Sequence, residues 1–385
     1  MRILLICQQS PHRYDLPAYN FWAHYFRAGL REGGHEALEV PGADWARGLL
    51  ALPATDHAAW RSDIWSRTVA AATEACAGGG LDLVLSYLYP QQIDGSAVRA
   101  VQRLGVPCVN FFCDHLREFR RVPEAFGVFD LNWVPEHAAL SWYRDRGWRA
   151  LSAAMPCWVA PERRQPPRSE RDVVSFIGRR DPLRSELLEF VARSHLPLEV
   201  RGPGWLKTDA KEGLAPPPAT WSARCRDWGS FVRRQGWLAA WNRARKRTRA
   251  QAAEFDFSAF ARPSPSDDDY QDMLAGSAVS VGVNRFPSFQ HPHRRPATYS
   301  RLRDIEAPML GACYLTEWAE GIDQLFEPDR EIALYRSEAE LVEQARNLLA
   351  NSARRMQLRI AGQRRALADH TIPVTLERLR RELGL

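Results

Sequence analysis

Nowhere in the 385 residues does an apolar run approach the roughly eighteen that a membrane-spanning helix needs. The opening stretch Met1-Arg2-Ile3-Leu4-Leu5-Ile6-Cys7 is apolar behind a single basic residue. Gln8-Gln9-Ser10-Pro11-His12-Arg13 interrupts it before the core of a secretory signal could form, so it reads as a first buried strand. Paired cysteines are also missing. The seven (Cys7, Cys76, Cys108, Cys113, Cys157, Cys225, Cys313) are odd in number and scattered, with no C-x-x-C and no zinc-ligand spacing. That pattern excludes a disulfide framework and predicts a reducing, cytoplasmic setting. An Asp-x-Asp metal loop is wanting as well: Asp267-Asp268-Asp269 follows Ser266, which makes it a helix cap and first turn, where carboxylates are favoured in any case.

What is present fits an average globular protein, with 45% hydrophobic and 25% charged residues. The length exceeds what one hydrophobic core usually serves, so two domains with a cleft between them are expected. Short apolar runs alternate with amphipathic ones, the signature of parallel sheets covered by helices. In the first half, strands are expected at 2–7, 37–40, 81–87, 107–112 and 131–134, and helices at 19–32, 60–76, 97–104 and 138–146. The composition turns to Pro, Arg and Gln over 156–168, the best linker candidate. A second series follows, with strands at 173–177, 198–201, 278–284 and 312–316 and helices at 182–193, 270–276 and 299–310. Helices at 338–349, 353–369 and 374–383 close the chain. The fold class is therefore α/β, with two Rossmann-like, doubly wound parallel-sheet domains.

Ligands of such sheets bind beyond the carboxyl ends of the strands, and three loops there carry complementary chemistry in the second half. Gly178-Arg179-Arg180 follows a strand and opens a helix, which suits a diphosphate through backbone N–H groups, a helix N-terminus and guanidinium forks. Asn284-Arg285 ends another strand and can do likewise. Arg303 and Glu306 lie three apart on one helix face, the cation suited to phosphate and the carboxylate to the vicinal hydroxyls of a ribose.

The stretch 303–316, with Leu325-Phe326-Glu327, Glu331-Ile332-Ala333-Leu334-Tyr335, Glu340-Leu341 and the tail from Ile360 through His370-Thr371, resembles the CgeB-type (spore maturation protein) glycosyltransferases. These are a branch of the group 1 GT-B enzymes. The resemblance spans most of 171–380 and, more loosely, reaches Val109-Asn110-Phe111-Phe112-Cys113-Asp114. It implies a GT-B fold: an acceptor-binding domain over 1–160, a nucleotide-sugar-binding domain over 161–370 and a final helix, 371–385, crossing back to the first. It also implies transfer of a sugar from a nucleoside diphosphate donor, a UDP-sugar being favoured, to a small-molecule, glycan or protein acceptor. No cofactor beyond the nucleotide-sugar is implied and no metal is required, because fixed cations and helix dipoles can hold the departing diphosphate. Position 298 is Thr298, where many retaining members carry a glutamate, so the stereochemical outcome is left open.

If transfer inverts, a base from the first domain must deprotonate the acceptor. Asp114, directly after a buried strand, leads; His12, after the first strand and with Asp15 near enough to orient it, follows. Capping or plain lining roles stand beside both readings. The remaining feature is an insertion over about 205–262, where the usual connection is short. Its 221–251 stretch holds nine basic residues against Asp227 alone, and this segment accounts for the net charge of +6. Trp221, Trp228, Trp237 and Trp241 fall within it. A surface flap or dimer contact, recognition of an anionic acceptor or membrane surface, and nucleic-acid binding all suit that composition, though no reader motif supports the last. Two wider alternatives also stay open: a non-catalytic module of the same fold that binds polyanions through this segment, and another nucleotide-sugar enzyme such as an epimerase.

Overall fold

The computed structural model describes residues 1–14, 19–165, 169–206, 255–286 and 297–385, together with scattered positions between 221 and 244. In chain order the first half contains β1 (Arg2–Ile6), α1 (Tyr19–Glu32), β2 (Glu36–Leu38), α2 (Ala54–Ala77), β3 (Leu83–Tyr87), α3 (Gly95–Gln102), β4 (Cys108–Phe111), α4 (His115–Glu118), β5 (Leu131–Val134), α5 (Leu140–Arg144) and β6 (Ala150–Ser152). The second half contains β7 (Arg171–Ile177), α6 (Pro182–Arg193), β8 (Leu198–Arg201), β9 (Ala261–Arg262), α7 (Asp267–Gly276), β10 (Ser277–Gly282), α8 (Arg303–Met309), β11 (Tyr314–Glu317), α9 (Ile322–Leu325) and β12 (Ala333–Tyr335). Helices α10 (Glu338–Ala350), α11 (Ser352–Asp369) and α12 (Ile372–Leu383) end the chain.

These elements form two compact units. The first comprises Met1–His115, Arg121–Trp158 and Ala368–Leu385; the second comprises Leu116–Arg120 and Val159–Leu367. Unit 1 is built on a parallel sheet of order β2-β1-β3-β4-β5-β6, whose strand order reverses between β1 and β3. The four inner strands β1, β3, β4 and β5 are buried along nearly their whole length (Ile3, Leu4, Leu5, Ile6; Leu83, Val84, Leu85), as a parallel sheet covered on both faces requires. Two buried amides span the reversal: the side chain of Gln8 donates to Tyr87 O at 2.8 Å, and Gln92 and Gln8 exchange hydrogen bonds at 2.9 Å. Helix α12 packs on α1, where Gly29 leaves no room for a Cβ beside Ile372.

Unit 2 has the parallel order β12-β11-β10-β7-β8-β9, which reverses between β7 and β10. Its core gathers Val174, Phe176, Leu187, Val200, Val281, Leu315 and Tyr335 from the sheet and its covering helices. Gly202 (φ +120°) and Gly178 bring the ends of β8 and β7 close together; a Cβ on Gly202 would stand 2.6 Å from the carbonyl oxygen of Gly178. A two-sheet α/β architecture was expected, and it is what the chain adopts. The helix expected from Tyr299 starts instead at Arg303, because 297–299 returns antiparallel to 284–286 and Tyr299 N–H donates to Asn284 O at 3.1 Å. Ser266 caps α7 by accepting from Asp269 N–H, so the acidic triplet is a helix start. Among the described residues no helix is long and apolar enough to cross a membrane.

Candidate active site

In an open α/β sheet the crevice lies outside the strand carboxyl ends where the order reverses, which in unit 2 means the loops after β7 and β10. Three arginines converge there. Arg184 projects from the first turn of α6, Nη1 donating to Arg179 O at 2.9 Å and the guanidinium lying 5.7 Å from the Phe176 ring. Arg301 stacks on Tyr299, 4.4 Å from the ring centroid, and its Nη2 donates to Arg285 O at 2.6 Å. Arg303 opens α8 and reaches across the reversal to donate to Ile177 O, the last carbonyl of β7. Burial and the like charges of Arg301 and Arg303 pull the Arg184 pKa down to about 10. Asp181 and Tyr299 oppose this fall without offsetting it. The Nε of Arg301 is buried and has no hydrogen-bond partner among the described residues.

The carboxylate expected near these cations is present. Glu306, 4% exposed, accepts from the Tyr270 hydroxyl, and Arg303 Nε donates to the same tyrosine oxygen at 3.4 Å. Tyr270 of α7 thus joins the Arg303 and Glu306 side chains, and the Arg303 guanidinium lies 5.6 Å from its ring. Burial raises the Tyr270 pKa well above its ordinary value, Arg303 working against the rise and Glu306 with it, so the hydroxyl stays a donor.

Beneath the arginines lies Asp304, fully buried. It accepts from Tyr314 and Thr316 on one oxygen, at 2.8 and 2.9 Å. The other accepts from Ser300, the Arg301 N–H and the Asn284 amide, at 2.9, 3.0 and 3.0 Å. Burial raises its pKa and these donors oppose the rise. Five donors on one carboxylate tie the 299–302 turn, β10 and β11 together, and so fix where Arg301 and Arg303 leave the backbone.

Two expected phosphate ligands are employed differently. Arg285 is 6% exposed, its Nε on Glu317 at 2.6 Å and its Nη2 on Glu338 at 3.0 Å; Asn284 is 1% exposed and donates to Asp304, Thr316 and Glu317 O. Both are committed to internal partners, which leaves them positioning the loop after β10 rather than facing an anion. The Gly178 loop is likewise self-satisfied in part. Gly178 N–H donates to Arg201 O at 2.8 Å, its carbonyl accepts from the Trp205 indole at 2.6 Å, and Arg180 N–H donates to Pro203 O at 2.9 Å. Arg179 is exposed at the loop tip. The loop therefore presents Arg184 and Arg179, with the backbone donors of Gly178 and Arg180 already used. Sequence reasoning missed Arg184 and Arg301, although Arg301 stands two residues from Arg303 and Arg184 is the third residue of the helix that the Gly178 loop opens.

In unit 1, Asp114 follows β4 and is partly exposed, while His12 follows β1 and is exposed, its ring 6.2 Å from that of Tyr14. Strand β3 separates β1 from β4, so the two leave the sheet two strand spacings apart, roughly 10 Å. Asp15, the expected orienter of His12, lies outside the described residues. His115 beside Asp114 is wholly buried between Glu136 (3.2 Å) and Tyr143 (2.7 Å), and burial lowers its pKa to about 3, so it stays neutral. Among the described residues no group of three or more His, Cys, Asp or Glu side chains is placed to hold a metal ion.

The model of the glycosyl transferase-like family matches residues 179–381, just over half of the chain and the part that carries Arg184, Arg301, Arg303 and Glu306. No curated protein sequence matches significantly. Among solved structures, sucrose-phosphate synthase from Thermosynechococcus elongatus superposes with a TM-score of 0.55 at 13% identity, covering 100% of this chain and 98% of that one. A glycosyltransferase from Rickettsia africae gives 0.54 at 9% identity, covering 99% and 98%. Anabaena Alr3699/HepE, solved in complex with UDP-glucose, gives 0.53 at 13% identity, covering 100% and 99%. At these identities the likeness shows the fold, GT-B. The chain belongs to the glycosyl transferase-like family and is a glycosyltransferase of GT-B architecture.

Proposed function

We propose that the chain transfers a sugar from a nucleoside diphosphate donor, a UDP-sugar in preference, to an acceptor presented by unit 1, without a metal ion. The single observation that carries this reading is the cluster of Arg184, Arg301 and Arg303 at the strand-order reversal, with the buried Arg301 Nε unpartnered among the described residues. Three clustered guanidiniums, whose neighbouring carboxylates Glu306 and Asp304 are engaged by hydroxyl and amide donors, suit the two phosphates of such a donor, because charge-assisted forks to phosphate oxygens are among the strongest hydrogen bonds available. The Glu306 carboxylate, held by Tyr270, suits the ribose hydroxyls. The same cations would stabilise the diphosphate as it departs, the service that a metal supplies elsewhere. The Anabaena protein solved with UDP and with UDP-glucose supports the choice of a uracil nucleotide. The sequence likeness around 303–316 supports the CgeB-type branch.

Where transfer inverts configuration, Asp114 is the base for the acceptor hydroxyl and His12 the second candidate. The acceptor is a small molecule, a glycan or a protein group bearing a free hydroxyl, and the cytoplasm, where nucleotide-sugars are made, is the compartment.

Thermal denaturation with UDP, GDP and dTDP tests the donor site. A nucleotide present at a hundred times its Kd stabilises by about 2.7 kcal/mol, which for a unit of this size raises Tm by several degrees. UDP should give the largest rise, and Glu306→Ala should reduce it while the protein stays folded. No rise with any of the three at millimolar concentration would refute the donor site.

A further inference from the structure

The insertion between β8 and β9 carries an outward apolar face to which the donor site assigns no role. Gly236 N–H donates to Val232 O at 2.7 Å and Ala240 N–H to Gly236 O at 3.1 Å, the spacing of helical turns. Phe231 and Ala240 are buried, with Trp228 and Val232 packed against them in a small cluster of their own. With its inner side filled in this way, the segment turns its largest apolar groups outward. Trp237 is 79% exposed, Leu238 66%, Trp241 70% and Trp221 80%, the four most exposed large apolar side chains among the described residues.

Folding does not ordinarily leave three indoles and a leucine in water within twenty-one residues of chain, since each forgoes the gain of burying its apolar surface. The charge around them narrows what could cover them. Over 221–251 the sequence has nine Arg and Lys residues and one acid. Indole rings and guanidiniums together are the side chains that gain most at the headgroup level of a bilayer, the ring in the acyl boundary and the cation among anionic headgroups.

We propose that Trp221, Trp237, Leu238 and Trp241 form a docking face for an anionic lipid bilayer, so that the enzyme works at a membrane surface without spanning it. The charge complementarity favours a lipid surface over a protein partner. The exposed leucine, which can enter the acyl region but cannot stack on bases, favours it over nucleic acid. The inference stands independently of the donor site.

Co-sedimentation of the full chain with phosphatidylcholine vesicles, with and without phosphatidylglycerol, tests it. Binding is expected to the phosphatidylglycerol vesicles, weakening as salt rises, with a blue shift of tryptophan emission as the indoles leave water. Trp237→Ala/Leu238→Ala/Trp241→Ala should weaken it on the order of tenfold or more while melting like the parent. A milder variant, Trp241→Ser alone, should weaken binding by a smaller factor and covers the case in which the triple variant fails to fold. Failure to bind phosphatidylglycerol vesicles, undiminished binding by a folded variant, or retention on heparin or single-stranded DNA that drops in step with the tryptophan substitutions would each overturn the proposal.

Discussion

Replacing Arg301 by Gln separates binding from folding at the proposed donor site. The guanidinium makes one hydrogen bond within the described protein, to Arg285 O, stacks on Tyr299, and leaves a buried Nε unpartnered. Losing the bond to Arg285 O costs about 1 kcal/mol of stability. Against that, the unpartnered donor disappears and Arg184 is relieved of a like charge that helps hold its pKa near 10. The two effects oppose each other, and the apo protein should melt within a few degrees of the parent. Binding has no such compensation. A hydrogen bond between charged groups contributes about 1.5–3 kcal/mol, and each 1.4 kcal/mol is a factor of ten, so Kd for UDP should rise roughly ten- to a hundredfold. Calorimetric titration of UDP at fixed ionic strength measures this. Arg301→Lys should fall between the two, keeping the charge without the planar fork. Unchanged UDP affinity in a folded Arg301→Gln protein would refute the placement of the diphosphate. A large loss of apo stability would show that the arginine is structural.

Asp304→Ala should behave in the opposite way, losing about 3–5 kcal/mol in denaturant unfolding without any ligand, because five buried donors lose their acceptor. Tyr270→Phe removes the hydroxyl that links Glu306 to Arg303; it should lower stability by about 1 kcal/mol and raise the donor KM more than it lowers kcat, read from steady-state kinetics. Glu170 gives the pH test. Burial raises its pKa, but hydrogen bonds and charge from Arg355 and Arg359 outweigh this and hold it below the ordinary carboxylate value. Its stabilisation is therefore complete above the unfolded-state pKa and is lost as pH falls through the folded one, so Glu170→Gln should flatten acid unfolding below about pH 4.5 and show its full destabilisation near neutrality.

Periodicity and breakers made the long elements legible. Helices α1 and α6 and strands β5 and β8 were expected at the boundaries that they have. The strands that escaped notice, β6, β9 and β12, have two or three residues each and take their place from pairing with a neighbour rather than from any pattern of their own. At the candidate site, the proximity of Arg303 and Glu306 was readable because three-residue helical spacing announces a shared face. Their link through Tyr270, thirty-three residues from Arg303, was not. Arg285 illustrates the limit of composition. A cation at a strand end looks like a phosphate ligand until Glu317 and Glu338 are brought beside it by β11 and α10. The Tyr299 error has a similar origin, since helical propensity there yields to the hydrogen bond with Asn284 O and to the pull of Asp304.

The last helix has a bearing on how this protein can be dissected. Ile372, Leu376 and Leu379 of α12 are buried in unit 1, and Arg378 donates to Ser152 O at 2.6 Å. An amino-terminal fragment ended at Trp158 would bare the groove at Gly29 that Ile372 fills, and would be expected to aggregate. A carboxyl-terminal fragment running to Leu385 would carry an amphipathic helix without its seat. Donor-site studies on an isolated unit are better served by ending the gene at Leu367, and work on unit 1 by grafting 368–385 behind residue 158 through a flexible tether.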